Sequence, residues 1–89
     1  MPTFVRSGRF TVKVFGPPRE HPPPHVHVYC GQSGLIVIRL GIAGDPPKVW
    51  RVYDTHYDDV LAAYRLVNRH NLALREYWRA VHGDETPDR

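Results

Sequence analysis

Two histidines at alternate positions, His25 and His27, follow the run Pro22-Pro23-Pro24 and carry the clearest chemistry in the sequence. On a strand, alternate residues share a face with Cβ atoms about 6–7 Å apart, so both imidazoles can converge on one ion. A zinc-like ion requires ring nitrogens at about 2.0–2.1 Å. His21 lies upstream across the prolines and could fold back as a third ligand, and His56 is a further candidate. Three histidine ligands leave one coordination position open for water, as a catalytic or sensory metal requires. Without metal, two such imidazoles could act as general base and general acid, since both protonation states are populated near neutral pH. The plainer alternative is that His25 and His27 face solvent, or lock the proline loop by donating from one nitrogen and accepting at the other. A divalent metal is therefore the one cofactor the residues suggest, and no catalytic residue is assigned.

Nucleophilic catalysis finds less support. Cys30 is the one cysteine and has the parity of Val26 and Val28, opposite to the histidines. The strand itself separates thiol from imidazole, and a small buried core residue is expected. Ser33 stands in a Gly-x-Ser-Gly turn rather than a Gly-x-Ser-x-Gly elbow between strand and helix. No phosphate-binding glycine loop or dinucleotide fingerprint is present.

A third feature is basic. At 100° per residue Arg65, Arg69, Arg75 and Arg79 cluster on one flank of a helix, with Leu61 and Leu72 among them. Arginines interleaved with exposed leucines suit a protein partner or a nucleic-acid backbone. Such a row is also what the solvated face of a helix ordinarily carries. The sequence signatures of RNP motifs, zinc fingers and helix-turn-helix domains are absent.

These residues must be positioned by a small number of elements, since 89 residues hold one domain and one core. Arg9 to Phe15 alternates, with Phe10, Val12 and Val14 on one face, and reads as a first strand. Gly16-Pro17-Pro18 ends it, and residues 17 to 24 form an extended, polyproline-like loop. His25 to Cys30 is a second strand, Gly31 to Gly34 a hairpin turn, and Leu35 to Leu40 a central third strand. Gly41 to Lys48 is a loop, and Val49 to Tyr53 a short fourth strand. Thr55-His56-Tyr57-Asp58 has the form of a capping box, and Asp58 and Asp59 suit the positive end of a helix dipole. Val60, Tyr64, Val67, Asn71, Leu74, Trp78 and Val81 then recur at spacings of four and three, which is one apolar helical face. It implies one long helix or two nearly collinear ones, with a kink expected around Asn68, His70 and Asn71. Gly83 ends it. The fold expected is α+β: a three- or four-stranded antiparallel meander packed against a long C-terminal helix. The domain spans residues 1–83, followed by a flexible tail over 84–89.

Composition narrows the setting. A 42% hydrophobic fraction supports a packed globule. Twelve basic residues against nine acidic ones give +3, a mild bias toward an acidic partner. One cysteine allows no internal disulfide and fits a reducing cytosol. The amino end lacks the apolar stretch of a signal peptide, and the aliphatic run Leu35 to Ile38 is too short to cross a bilayer. A cytoplasmic, bacterial-type protein without a membrane contact is expected.

The stretch His21-Pro22-Pro23-Pro24-His25-Val26-His27-Val28 resembles the hallmark of a family of small bacterial proteins known as domain-of-unknown-function family 4160. Further likeness runs through Gly31 and Gly34 to the region from His70 to Trp78. Val26 stands where the family usually has an aromatic, and the Gly41 to Tyr53 connection is longer than the family's. The resemblance implies a small cytosolic protein with no assigned activity, often encoded beside another small protein in a toxin–antitoxin-like gene pair. It implies the antitoxin or accessory member, whose partner is the neighbouring gene product. A small metal-binding protein or a metal-dependent nuclease working through His21, His25 and His27 is the alternative.

Overall fold

The computed structural model describes residues 3–17, 23–41 and 44–83. Residues 18–22 of the proline-rich loop, His21 among them, and the tail over 84–89 lie outside the described residues. The chain forms β1 (Thr3–Ser7), β2 (Phe10–Lys13), β3 (His25–Cys30), β4 (Gly34–Arg39), β5 (Lys48–Tyr53), α1 (Tyr57–Arg69) and α2 (Asn71–His82). The strands make one antiparallel sheet in the order β1-β2-β3-β4-β5. The fold is thus α+β with the meander order expected, and one more strand than the sequence predicted.

The extra strand is β1. It pairs with β2 through a tight turn at Gly8 and Arg9, where Gly8 takes φ of +59°, a left-handed conformation that favours glycine. Residues 3 to 7 carry only a short alternation of their own. What makes them a strand is the edge of β2 waiting beside them.

Period two divides the sheet into two faces. One is apolar: Val5, Val12, Val28, Ile36 and Val52 line up across the five strands, with Val26, Ile38 and Val49 in the next row. Both helices lie on this side, burying Ala63, Leu66, Val67, Leu74 and Trp78 against Val12, Val26, Val28, Ile36 and Ile38. Cys30 is buried there too, as its parity predicts.

The helical stripe is real but divided. His70 has φ −106° and ψ 14°, outside helical values, and separates α1 from α2. Its amide is shared between the carbonyls of Leu66 and Val67, at 3.3 and 3.1 Å, and Leu74 N–H still reaches His70 O at 2.8 Å. The break is therefore a one-residue kink within an almost unbroken ladder. Asn71 explains its place. Its side chain accepts from Gly41 N–H at 2.8 Å and donates to Gly41 C=O at 3.2 Å. Arg75 adds a donor to the same carbonyl at 3.1 Å. Gly41 must be glycine, because a Cβ there would lie 2.0 Å from the Asp45 carbonyl oxygen.

The capping box expected at Thr55 does not form. The N-cap is His56, with no side-chain cap bond, and Thr55 instead donates from its hydroxyl to the Tyr53 carbonyl. Asp58 and Asp59 do occupy the first turn, where the helix dipole favours them, and Asp59 pairs with Arg9 at 3.1 Å.

Asn71→Ala removes both side-chain bonds to Gly41 and leaves its buried amide without that acceptor. We expect a loss of about 2 kcal/mol, or roughly a 10 °C fall in Tm. Thermal unfolding followed by circular dichroism measures it, and a shift under about 2 °C would show that the clamp does not hold the sheet to α2.

Candidate functional site

Strand β3 delivers His25 and His27 to the side of the sheet away from the apolar core, as alternation predicts. Their surroundings are aromatic. His25 is only 7% exposed, and its Nδ1 lies 2.9 Å from the Pro23 carbonyl. A carbonyl only accepts, so that nitrogen carries the proton and donates. The ring has Trp78 at 5.2 Å, Trp50 at 5.4 Å and His27 at 5.6 Å, centroid to centroid. His27 meets the edge of Phe15 at 5.1 Å and lies nearly parallel to Tyr29 at 6.4 Å. On the far side of Trp78, His82 stacks at 3.6 Å and 12°, with Nε2 donating to the Phe15 carbonyl at 2.9 Å.

These rings form one connected series that ties β3 to the end of α2 and to the edge strand β5. The sequence placed His25 and His27 together but missed Trp78, His82 and Trp50. The spacing of Trp78 and His82, four residues apart on a helix, was a usable signal for that pair. That they meet β3 depended on how α2 crosses the end of the sheet. Gly16 permits the approach, since a Cβ there would come within 2.9 Å of Val81 Cγ1.

The other histidine candidates are not brought to this cluster. His56 caps α1 beside the β3–β4 turn, where Thr55 nears Gly34 and Gly34 pairs with Cys30. That is the opposite end of β3 from His25, about 16 Å away along a six-residue strand. His21 lies outside the described residues. Among the described residues, no group of three or more His, Cys, Asp or Glu side chains is placed to share an ion. Burial pushes the Cys30 thiol up from its ordinary range, which makes it a poor nucleophile at neutral pH.

The arginine flank is divided by the structure. Arg75 turns to the Gly41 carbonyl. Arg65, Arg69 and Arg79 are exposed, with Leu72 beside them 72% exposed.

A second basic surface was not anticipated. On the sheet face opposite the helices, one row runs Arg6, Thr11, Tyr29, Leu35, Tyr53 across the five strands. The next runs Thr3, Lys13, His27, Val37, Arg51, and a shorter third runs His25, Arg39, Lys48. Five cationic side chains, Arg6, Lys13, Arg39, Lys48 and Arg51, share these rows with no Asp or Glu. A bulge in β5 leaves Trp50 between Val49 and Arg51 and turns its ring toward His25. Trp50 is 44% and Tyr53 47% exposed. α2 reaches this face at His25, whose ring lies 5.2 Å from that of Trp78. The signal existed in the sequence as a shared parity of basic and aromatic residues over four strands. Reading it needed the register that aligns them, including the bulge that breaks parity within β5.

His25→Ala empties a ring site enclosed by two tryptophans and drops the bond to Pro23. We expect about 3 kcal/mol of destabilisation in urea unfolding, against less than about 0.5 kcal/mol for the exposed His56→Ala. Equal effects would mean that the aromatic series does not hold this end of the sheet.

Comparison of the chain with protein-family models, with curated proteins and with solved structures found no match in any of the three.

Proposed function

We propose that this protein is a contact module rather than an enzyme, one that holds an anionic partner on the open face of its sheet. The observation that carries this reading is the set of rows containing Arg6, Lys13, Arg39, Lys48 and Arg51 without one carboxylate. Cations aligned on one face create a positive field that draws and orients an anionic partner. Asp45 lines a pocket with Arg39 and Lys48, which leaves Arg6, Lys13 and Arg51 as the cations farther from it in the rows. The histidines support the same reading from the other side. His25 is committed to Pro23 and to a ring enclosure, which is the setting of a packing residue. In a cell the protein would be cytoplasmic and would act as the antitoxin or accessory member of a toxin–antitoxin-like pair, as its resemblance to domain-of-unknown-function family 4160 implies. The described helices are neither long nor apolar enough to cross a membrane. Arg65, Arg69 and Arg79 on the helices give a separate surface for the neighbouring gene product.

Retention on immobilised heparin tests the assignment of the face. Lys13→Gln/Arg39→Gln/Arg51→Gln and Arg65→Gln/Arg69→Gln/Arg79→Gln each lower the formal charge by three, from +3 to zero. The sheet variant is expected to elute at clearly lower salt than the helix variant. Equal elution would reduce the effect to net charge and remove the face from consideration. RNA incubated with micromolar protein is expected to remain intact. Cleavage that disappears in His25→Ala/His27→Ala would return those histidines to a catalytic role.

A further inference from the structure

We infer that the ligand of the open sheet face is single-stranded nucleic acid, with bases stacked on Tyr29 and Tyr53 and phosphates held by the surrounding cations. The inference rests on the proposal that this face binds an anionic partner, and it names the chemistry of that partner.

The arrangement of rings among cations carries the argument. Tyr29 and Tyr53 stand in one row with Leu35 between them, so their strands are about 10 Å apart at ordinary inter-strand spacing. Two rings at that distance suit bases splayed out of a stack, the form in which single strands are recognised. The adjacent row, about 6–7 Å along the strands, places Lys13 and Arg51 on the flanks of the two tyrosines. Arg39 and Lys48 follow one row further, and Arg6 ends the tyrosine row at the opposite edge. Rings with cations beside them are what a stacked base and its own phosphate need together. Lys13 Nζ lies over the Tyr29 ring at 5.0 Å in the free protein. Its flexible stem lets that charge move to a phosphate when a base takes the ring.

Other anionic partners use less of the surface. The major groove of a duplex admits a helix or a two-stranded ribbon, whereas this face is the broad side of a five-stranded sheet. Paired bases also present no free ring to a tyrosine. An acidic protein would satisfy the cations and leave the exposed Tyr53 ring and the half-buried Tyr29 ring without matched partners.

The test is fluorescence anisotropy with a labelled 12-nucleotide oligouridylate, a 12-base-pair duplex as competitor, and heparin retention run in parallel. Single-strand binding is expected to exceed duplex binding. Each tyrosine replaced by leucine is expected to cost about tenfold in affinity, so Tyr29→Leu/Tyr53→Leu loses roughly a hundredfold, while heparin elution is unchanged. Tyr29→Phe/Tyr53→Phe keeps the rings and is expected to retain binding, which separates stacking from a change in fold. Arg39→Gln/Arg51→Gln is expected to make the slope of log affinity against log salt shallower by about 1.4. Leucine variants that bind the oligonucleotide like wild type, or duplex bound as tightly as single strand, would overturn the inference. So would heparin retention without oligonucleotide binding. In all three cases the anionic-partner reading survives, whereas absence of both heparin and oligonucleotide binding would remove both.

Discussion

The parity of β3 is the constraint on which the rest of the molecule depends. Val26, Val28 and Cys30 must point into the core, because they supply the centre of the apolar layer that both helices cover. A strand has two faces and a period of two, so His25, His27 and Tyr29 are obliged to point the other way. Slipping β3 by one residue would turn two histidines and a tyrosine into the aliphatic core and carry Val26 and Val28 out of it. The register of β2 and β4 on either side follows from the same requirement, and so does the alignment of Lys13 and Val37 with His27.

One consequence is that the two faces of the sheet meet different demands. The covered face is filled by aliphatic residues and closed by Leu74 and Trp78. The open face meets α2 at its His25 end, through the ring of Trp78, and carries cations and tyrosines over the rest of its rows. Val37 stands between His27 and Arg51 and is buried nonetheless.

The aromatic series and the Gly41 clamp join the layers at one end. Trp78 belongs to the core and also touches His25, while His82 stacks upon it and bonds to Phe15. A few turns earlier, Asn71 and Arg75 hold Gly41 just past the end of β4. Both attachments are made by α2, whose direction is set by the break at His70. A straight continuation of α1 would carry a different face of the second helix past the sheet. The kink and the two polar attachments thus depend on one another. This accounts for an asparagine in a stripe that otherwise carries apolar and aromatic residues.

Local chemistry alone determined a good deal here. Alternation from Phe10 and from His25 set the faces of β2 and β3, and the parity of Cys30 set its burial. The four-three spacing from Val60 to Val81 set the helical stripe and located its weak point. These are short-range properties, fixed by the periods of strand and helix. Where a signal is local but ambiguous, the tertiary structure decided. Thr3–Ser7 became a strand because β2 offered it an edge, and Thr55 gave up the cap for a bond to Tyr53. Arg75 left the solvated flank because Gly41 came within its reach. The open face with its aligned cations and tyrosines belongs to the same class. Its residues come from five strands spread between Thr3 and Tyr53, and only inter-strand register, including the bulge at Trp50, brings them into rows. Register is fixed by long-range pairing, and no window of sequence contains it.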